Sequence, residues 1–153
     1  MRYRSEIEKV LKNKESFEGC FSSIKKLTKL KIGKTYMLHK FLDDDRDERL
    51  GHWTALKINQ EGDIFFFDSH GVKPNKKLKK VLQKFVSLRK RNIYWSSQRI
   101  QSIVSEKCGE FAVLFIMLVK GKKSYKQFLQ LFDKEDMFLN DDIVNRLLNK
   151  LIK

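Results

Sequence analysis

Between Phe111 and Val119 every residue is apolar, and no other uninterrupted apolar run in the chain is longer. It has about half of the ~20 residues that a bilayer-spanning helix needs, so it does not cross a membrane. A helix apolar on all sides has to be covered on all sides, and the rest of the chain must therefore build a core around it. The 153 residues suffice for one such core, which makes residues 1–153 a single expected domain. With 41% hydrophobic and 12% aromatic residues, one Pro and seven Gly, collagen-like, low-complexity and wholly disordered classes are excluded.

Elements before and after this helix follow from periodicity. Ser5 and Glu8 read as a capping box ahead of Val10 and Leu11, so a short helix opens the chain. Lys25 to Lys34 mixes Lys with Leu and Ile, and Asp43, Asp44, Asp45, Asp47 and Glu48, with Arg46 and Arg49, read as a solvated acidic loop. Trp53, Ala55, Leu56 and Ile58, a turn over 59–62, and Ile64-Phe65-Phe66-Phe67 predict a β-hairpin. Leu78, Val81, Leu82, Phe85 and Val86 recur at helical spacing after Asn75, with lysines between them. Asn92-Ile93-Tyr94-Trp95 predicts a third strand. Gly121 is expected to end the apolar helix as its C′ residue. Ser124 with Gln127 then caps one amphipathic helix, and Asn140 or Asp141 caps a last one through Leu151. The fold class is α+β, a small mixed β-sheet packed against helices.

Cys108 stands immediately before the apolar helix, where unpaired N–H groups and the positive end of the helix dipole favour a thiolate. A lone cysteine is more often an inert buried thiol, so a partner base decides between the two readings. The other cysteine is Cys20, and no CxxC pair exists, so neither a structural metal nor a disulfide framework is expected. The charged N-terminus lacks a secretory signal, and a reducing compartment is expected.

The base comes from the hairpin. A turn over 59–62 pairs Ile58 with Asp63 and sets His52 opposite Ser69, and within two residues of register Asp68 is the nearest carboxylate. A carboxylate beside an imidazole fixes its orientation and stabilises the imidazolium that a thiol's proton creates. His39, in a Lys-rich stretch, and His70, in a turn approaching Gly71, are the competing bases. The backbone N–H of Cys108 and the amide of Gln101 are candidate oxyanion donors, with Gln98 as the alternative amide. Gly109 permits close approach to Cys108 or simply eases helix entry.

Gly51-His52-Trp53, Phe66-Phe67-Asp68-Ser69-His70-Gly71 and the segment from Gln101 to Phe111 resemble, in that order, the adenain-like cysteine proteases of adenoviruses, Polinton-type transposons and virophages. A weaker match runs through Phe17 to Ser22, so the resemblance covers roughly residues 17 to 121. It implies His52 as general base, Cys108 as nucleophile at the N-terminus of a central helix, Asp68 as the orienting acid and Gln101 as oxyanion donor. It also implies that Trp53 packs beside the site as a cover for the histidine, unless it is plain core, and that Trp53 and Gly109 face substrate. The implied activity is an endopeptidase that cleaves capsid and core precursors during virion maturation, a monomer within virion and host cell, not secreted and without a membrane partner. Alternatives are an isopeptidase for ubiquitin-like modifiers and a basic DNA-binding protein with a vestigial site. Lys107 stands where the modifier proteases usually carry Asp, which favours the viral branch. No cysteine follows Cys108, which argues against a disulfide-linked peptide cofactor, and Cys20 reads as packing. The chemistry itself needs no cofactor.

Thirty-three Lys plus Arg against 19 Asp plus Glu leave a formal charge of +14. A field of that sign favours polyanions, and the resemblance implies activation by DNA. The candidate contacts are Lys76, Lys77, Lys79, Lys80, Lys84, Arg89, Lys90 and Arg91, with Lys120, Lys122, Lys123 and Lys126 as a second cluster. A solubilising surface is the plainer reading of the same charge.

Overall fold

The computed structural model describes residue 1 and residues 4–27, 29–39 and 52–152. The acidic stretch from Asp43 to Arg49 and Gly51 of the Gly51-His52-Trp53 motif lie outside the described residues.

Among the described residues one mixed sheet runs in the order β1 (Phe17–Phe21), β2 (Thr35–His39), β3 (Trp53–Ile58), β4 (Ile64–Phe67), β5 (Ile93–Tyr94). The outer pairs are parallel and the two middle pairs antiparallel. Among the described residues five α-helices accompany it: α1 (Arg4–Leu11), α2 (Lys76–Arg89), α3 (Cys108–Leu118), α4 (Lys122–Gln130) and α5 (Met137–Ile152). The mixed sheet against helices agrees with the expected class.

Side chains alternate across a strand, and here the alternation sorts two cores. Met37, Trp53, Ala55, Phe65 and Phe67 pack with Ile7 and Leu11 of α1, Phe111 to Ile116 of α3, Tyr125 and Phe128 of α4, and Val144 and Leu148 of α5. Tyr36, Leu38, Leu56, Ile58, Ile64 and Phe66 pack with Leu78, Leu82, Phe85 and Val86 of α2. The apolar helix is α3, buried from Gly109 to Ile116 as its composition demands. Tyr125 on α4 fastens that helix to the sheet by donating its hydroxyl to the Phe66 carbonyl at 2.6 Å. No helix among the described residues is long and apolar enough to cross a membrane.

Several local expectations are corrected. The hairpin pairs Ile58 with Ile64, not with Asp63, because its connection is one residue longer than expected. Asn59 closes that connection: its side chain accepts from the Asp63 N–H at 2.9 Å, and Gly62 takes the left-handed φ of 93° that the tight path requires. Strands β1 and β2 were not expected. His39 therefore lies in buried β2, opposite Trp53, and not in an open Lys-rich stretch.

Helix ends differ as well. Ser5 lies inside α1. Helix α3 ends at Leu118, and Gly121, with an extended φ of −175°, opens α4. Ser124 is in the first turn of α4, where its hydroxyl accepts from the Gly121 N–H at 2.9 Å. For α5 the capping side chain is Asp136, which accepts from the Leu139 N–H at 3.0 Å. Asn140 is instead wholly buried within the helix.

Candidate active site

The corrected register explains which side chains meet. Ala55 pairs with Phe67 at the last rung of the β3–β4 ladder; His52 lies just before β3, and Asp68, just after β4, opens a turn closed by the Gly71 N–H donating to the Asp68 carbonyl at 2.8 Å. By alternation counted from that rung, Asp68 and His52 fall on the same face. The register expected from the sequence would have put Ser69 opposite His52 and turned Asp68 to the other face, since a one-residue slip inverts every side chain.

Distances agree with this parity. His52 Nε2 lies 2.7 Å from Asp68 Oδ1, with both side chains buried. The same Oδ1 accepts from the His70 backbone N–H at 2.8 Å, which fixes the carboxylate. The His70 ring lies flat on the His52 ring, with centroids 4.1 Å apart and planes 6° from parallel.

Cys108 is the first residue of α3 and is half-buried, with a free thiol; Cys20 is buried on β1. The His52 side chain and the Trp53 backbone both act on the Cys108 sulfur through hydrogen bonding in a way that lowers its pKa. With Nε2 held by Asp68, Nδ1 is the nitrogen left for the thiol. Burial opposes charge on His52 and is the largest influence on it. The hydrogen bonds to Asp68 and Cys108, and the charges of both, outweigh it and push the imidazole up to about 9. Burial also opposes a thiolate at Cys108, and the hydrogen bond and charge of His52, with the Trp53 backbone bond, nevertheless hold its pKa below the ordinary value. Both shifts favour one species, a thiolate beside an imidazolium.

The remaining expectations fare differently. Trp53 is 2% exposed and meets His39 edge-on at 5.3 Å, while the ring stacked on His52 is that of His70. Gln101 is buried; Ser69 donates its hydroxyl to Oε1, and Nε2 donates to the Ser105 carbonyl at 2.9 Å. A primary amide carries two N–H donors, so one remains beyond that bond. Gln98 gives its amide to the Leu129 carbonyl at 3.3 Å, a bond to α4 and not to the Cys108 segment. At Gly109 a Cβ would come within 2.3 Å of the Met1 carbonyl oxygen, so the close approach made there is by residue 1. The Met1 amino group pairs with Glu110, whose other oxygen lies 3.3 Å from Lys107 Nζ.

The sequence reading weighed His70 only as a competing base and gave Ser69 no role, and it did not single out Ile103 and Val104. These two stand 72% and 75% exposed in the segment leading to Cys108. That segment is tied to α5 by Ser105, whose hydroxyl donates to Asp141 at 2.9 Å. Exposed apolar side chains of this kind suit contact with another chain.

His52, Asp68 and His70 each offer a ligand atom within 4.8 Å of the others. Imidazole lone pairs lie in the ring plane, so two parallel stacked rings cannot both aim at one ion. The arrangement therefore does not fit one metal ion held by both rings. All twelve candidate lysines and arginines on α2, α4 and their flanks are exposed. No protein-family model matches this chain, and no curated protein matches it either.

Proposed function

We propose that this protein is a cysteine endopeptidase of the adenain-like type, acting as a monomer on viral or transposon structural precursors inside virion and host cell. The observation that carries the reading is the His52–Asp68 contact of 2.7 Å, with Cys108 at the start of α3 and its pKa lowered by the same imidazole. Cys108 thiolate attacks the scissile carbonyl, and its backbone N–H and the remaining amide N–H of Gln101 stabilise the oxyanion. His52 gives its proton to the leaving amine, and water, deprotonated by His52, then releases the acid from the thioester. The modifier isopeptidase shares these steps and differs only in substrate.

The test incubates the purified chain with the structural precursors encoded beside it. Cleavage by wild type and none by Cys108→Ala is the expected result; preference for ubiquitin-like modifier substrates transfers the reading to the isopeptidase. Failure of an active-site thiol probe to label wild type would refute both and leave the vestigial DNA-binding reading.

A second activity rests on Trp95, which is 44% exposed between the two basic clusters. On one side it lines a cleft of about 700 Å³ with Lys73, Lys79 and Arg91. On the other it lines a cleft of about 170 Å³ with Tyr94, Lys122 and Lys126. Cations flanking an exposed indole suit phosphates and a stacked base, so DNA is the partner proposed.

A further inference from the structure

Resting on the cysteine-protease reading, we propose that His70 is a positioning residue: its ring is a flat shelf that confines the His52 imidazole to the plane in which Asp68 and Cys108 both reach it. An imidazole held at one nitrogen by a carboxylate retains freedom to tilt about that bond. Tilting moves Nδ1 out of line with the sulfur, and a misplacement on the order of 1 Å can cost ~10²-fold in rate. The parallel His70 ring, 4.1 Å away, blocks tilting toward its side. It is itself held at the root, because its backbone N–H donates to the carboxylate oxygen that binds His52. Gly71, with φ of 73°, lets the chain turn immediately afterwards, where a Cβ would come within 2.5 Å of the Ser97 carbonyl oxygen. One short segment thus supplies both the acid that orients the base and the surface that keeps it flat.

A shelf acts by shape. Phenylalanine offers a planar face of similar size, leucine offers bulk without a plane, and alanine offers neither. His70→Phe is expected to keep kcat within about threefold, whereas His70→Ala and His70→Leu lower it roughly 10- to 100-fold with KM nearly unchanged, since the lost alignment concerns the reacting atoms and not substrate binding. Iodoacetamide alkylation of Cys108 at about pH 6 should follow the same order, because it reports the thiolate without any substrate. If alkylation is no faster in wild type than in His52→Ala, the thiol–imidazole reading fails and the shelf with it. If wild type is faster and His70→Ala matches it, or His70→Phe falls as far as His70→Ala, the shelf alone is overturned. Should the Ala and Leu variants not fold, the wild type decides: proton NMR is expected to show the His52 ring protons displaced upfield by the ring current of His70, and unshifted resonances refute the proposal.

Discussion

Asn140, buried in the first turn of α5, donates its side-chain amide to the carbonyl of Ile100 at 2.9 Å, one residue before Gln101. The same amide donates to the Asp133 carbonyl at 2.8 Å, and its oxygen accepts from the Asp133 N–H at 2.7 Å. A single side chain thereby ties the start of the last helix to the segment that carries a candidate oxyanion donor. Asn140→Ala strands these backbone groups in the interior. A loss of about 2–3 kcal/mol is expected, read as a fall of roughly 5–10 °C in Tm. An unchanged Tm would mean that the segment is held otherwise.

Asp68→Asn keeps the shape of the side chain but removes the charge that helps raise the His52 pKa. The imidazolium is then less favoured, and so is the thiolate it sustains. Alkylation of Cys108 near neutral pH is expected to fall by at least about tenfold. Equal rates in the two proteins would remove Asp68 from the site.

The two pKa shifts also set a pH window. Cys108 titrates below a free thiol and His52 at about 9, so the ion pair persists between those limits. Proteolysis should rise through the lowered thiol pKa, and it should decline as His52 loses its proton near 9, because the leaving amine then lacks an acid. A pH–rate profile still climbing well above 9 contradicts this assignment.

Ser69 determines which end of the Gln101 amide is the donor, by giving its hydroxyl to Oε1. Gln101→Ala should cost ~10²-fold in kcat, as loss of one oxyanion donor does. Ser69→Ala should fall between that value and wild type with KM unchanged. A kcat equal to wild type in Gln101→Ala shows that the oxyanion is held by other groups.

Trp95 can be followed directly, since the chain has two tryptophans and Trp53 is buried. Addition of oligonucleotide should quench the exposed indole, with an affinity that drops steeply between low and physiological salt. Lys79→Glu and Lys122→Glu should each weaken it. Quenching unchanged by salt or by these substitutions argues against a phosphate-binding surface.

Legibility in the sequence followed physical pattern. Helix α3 was readable because a wholly apolar helix has one environment, and α2 because its apolar positions keep a helical period. Strand β2 escaped because Thr35–His39 is buried throughout, which erases the alternation that marks a half-buried strand. Strand β1 escaped for a different reason: Phe17–Phe21 is short and has one buried residue, Cys20, with Gly19 at a positive φ. His52 and Asp68 were legible as neighbours, and their face was not, because the turn held one residue more than its Asn59–Gly62 core suggested. Ser69 was given no role, and His70 was weighed as a rival base instead of as a ring stacked on His52. The cap at Asn140 was misread because a buried Asn and a capping Asn look alike until the core around them is known, and Ser124 bonds back to Gly121 from inside the first turn of α4 instead of preceding it.

The connection from Asn59 to Asp63 makes parity a property that insertions and deletions would test. Strand β4 is aromatic or aliphatic at every position, so turning it over by one residue exchanges greasy faces for greasy faces and the layer survives. The residue just past Phe67 has no such symmetry: Asp68 would be turned away from His52. Length changes at this hairpin of one residue should therefore yield well-folded, catalytically silent molecules, while changes of two residues should be far better tolerated.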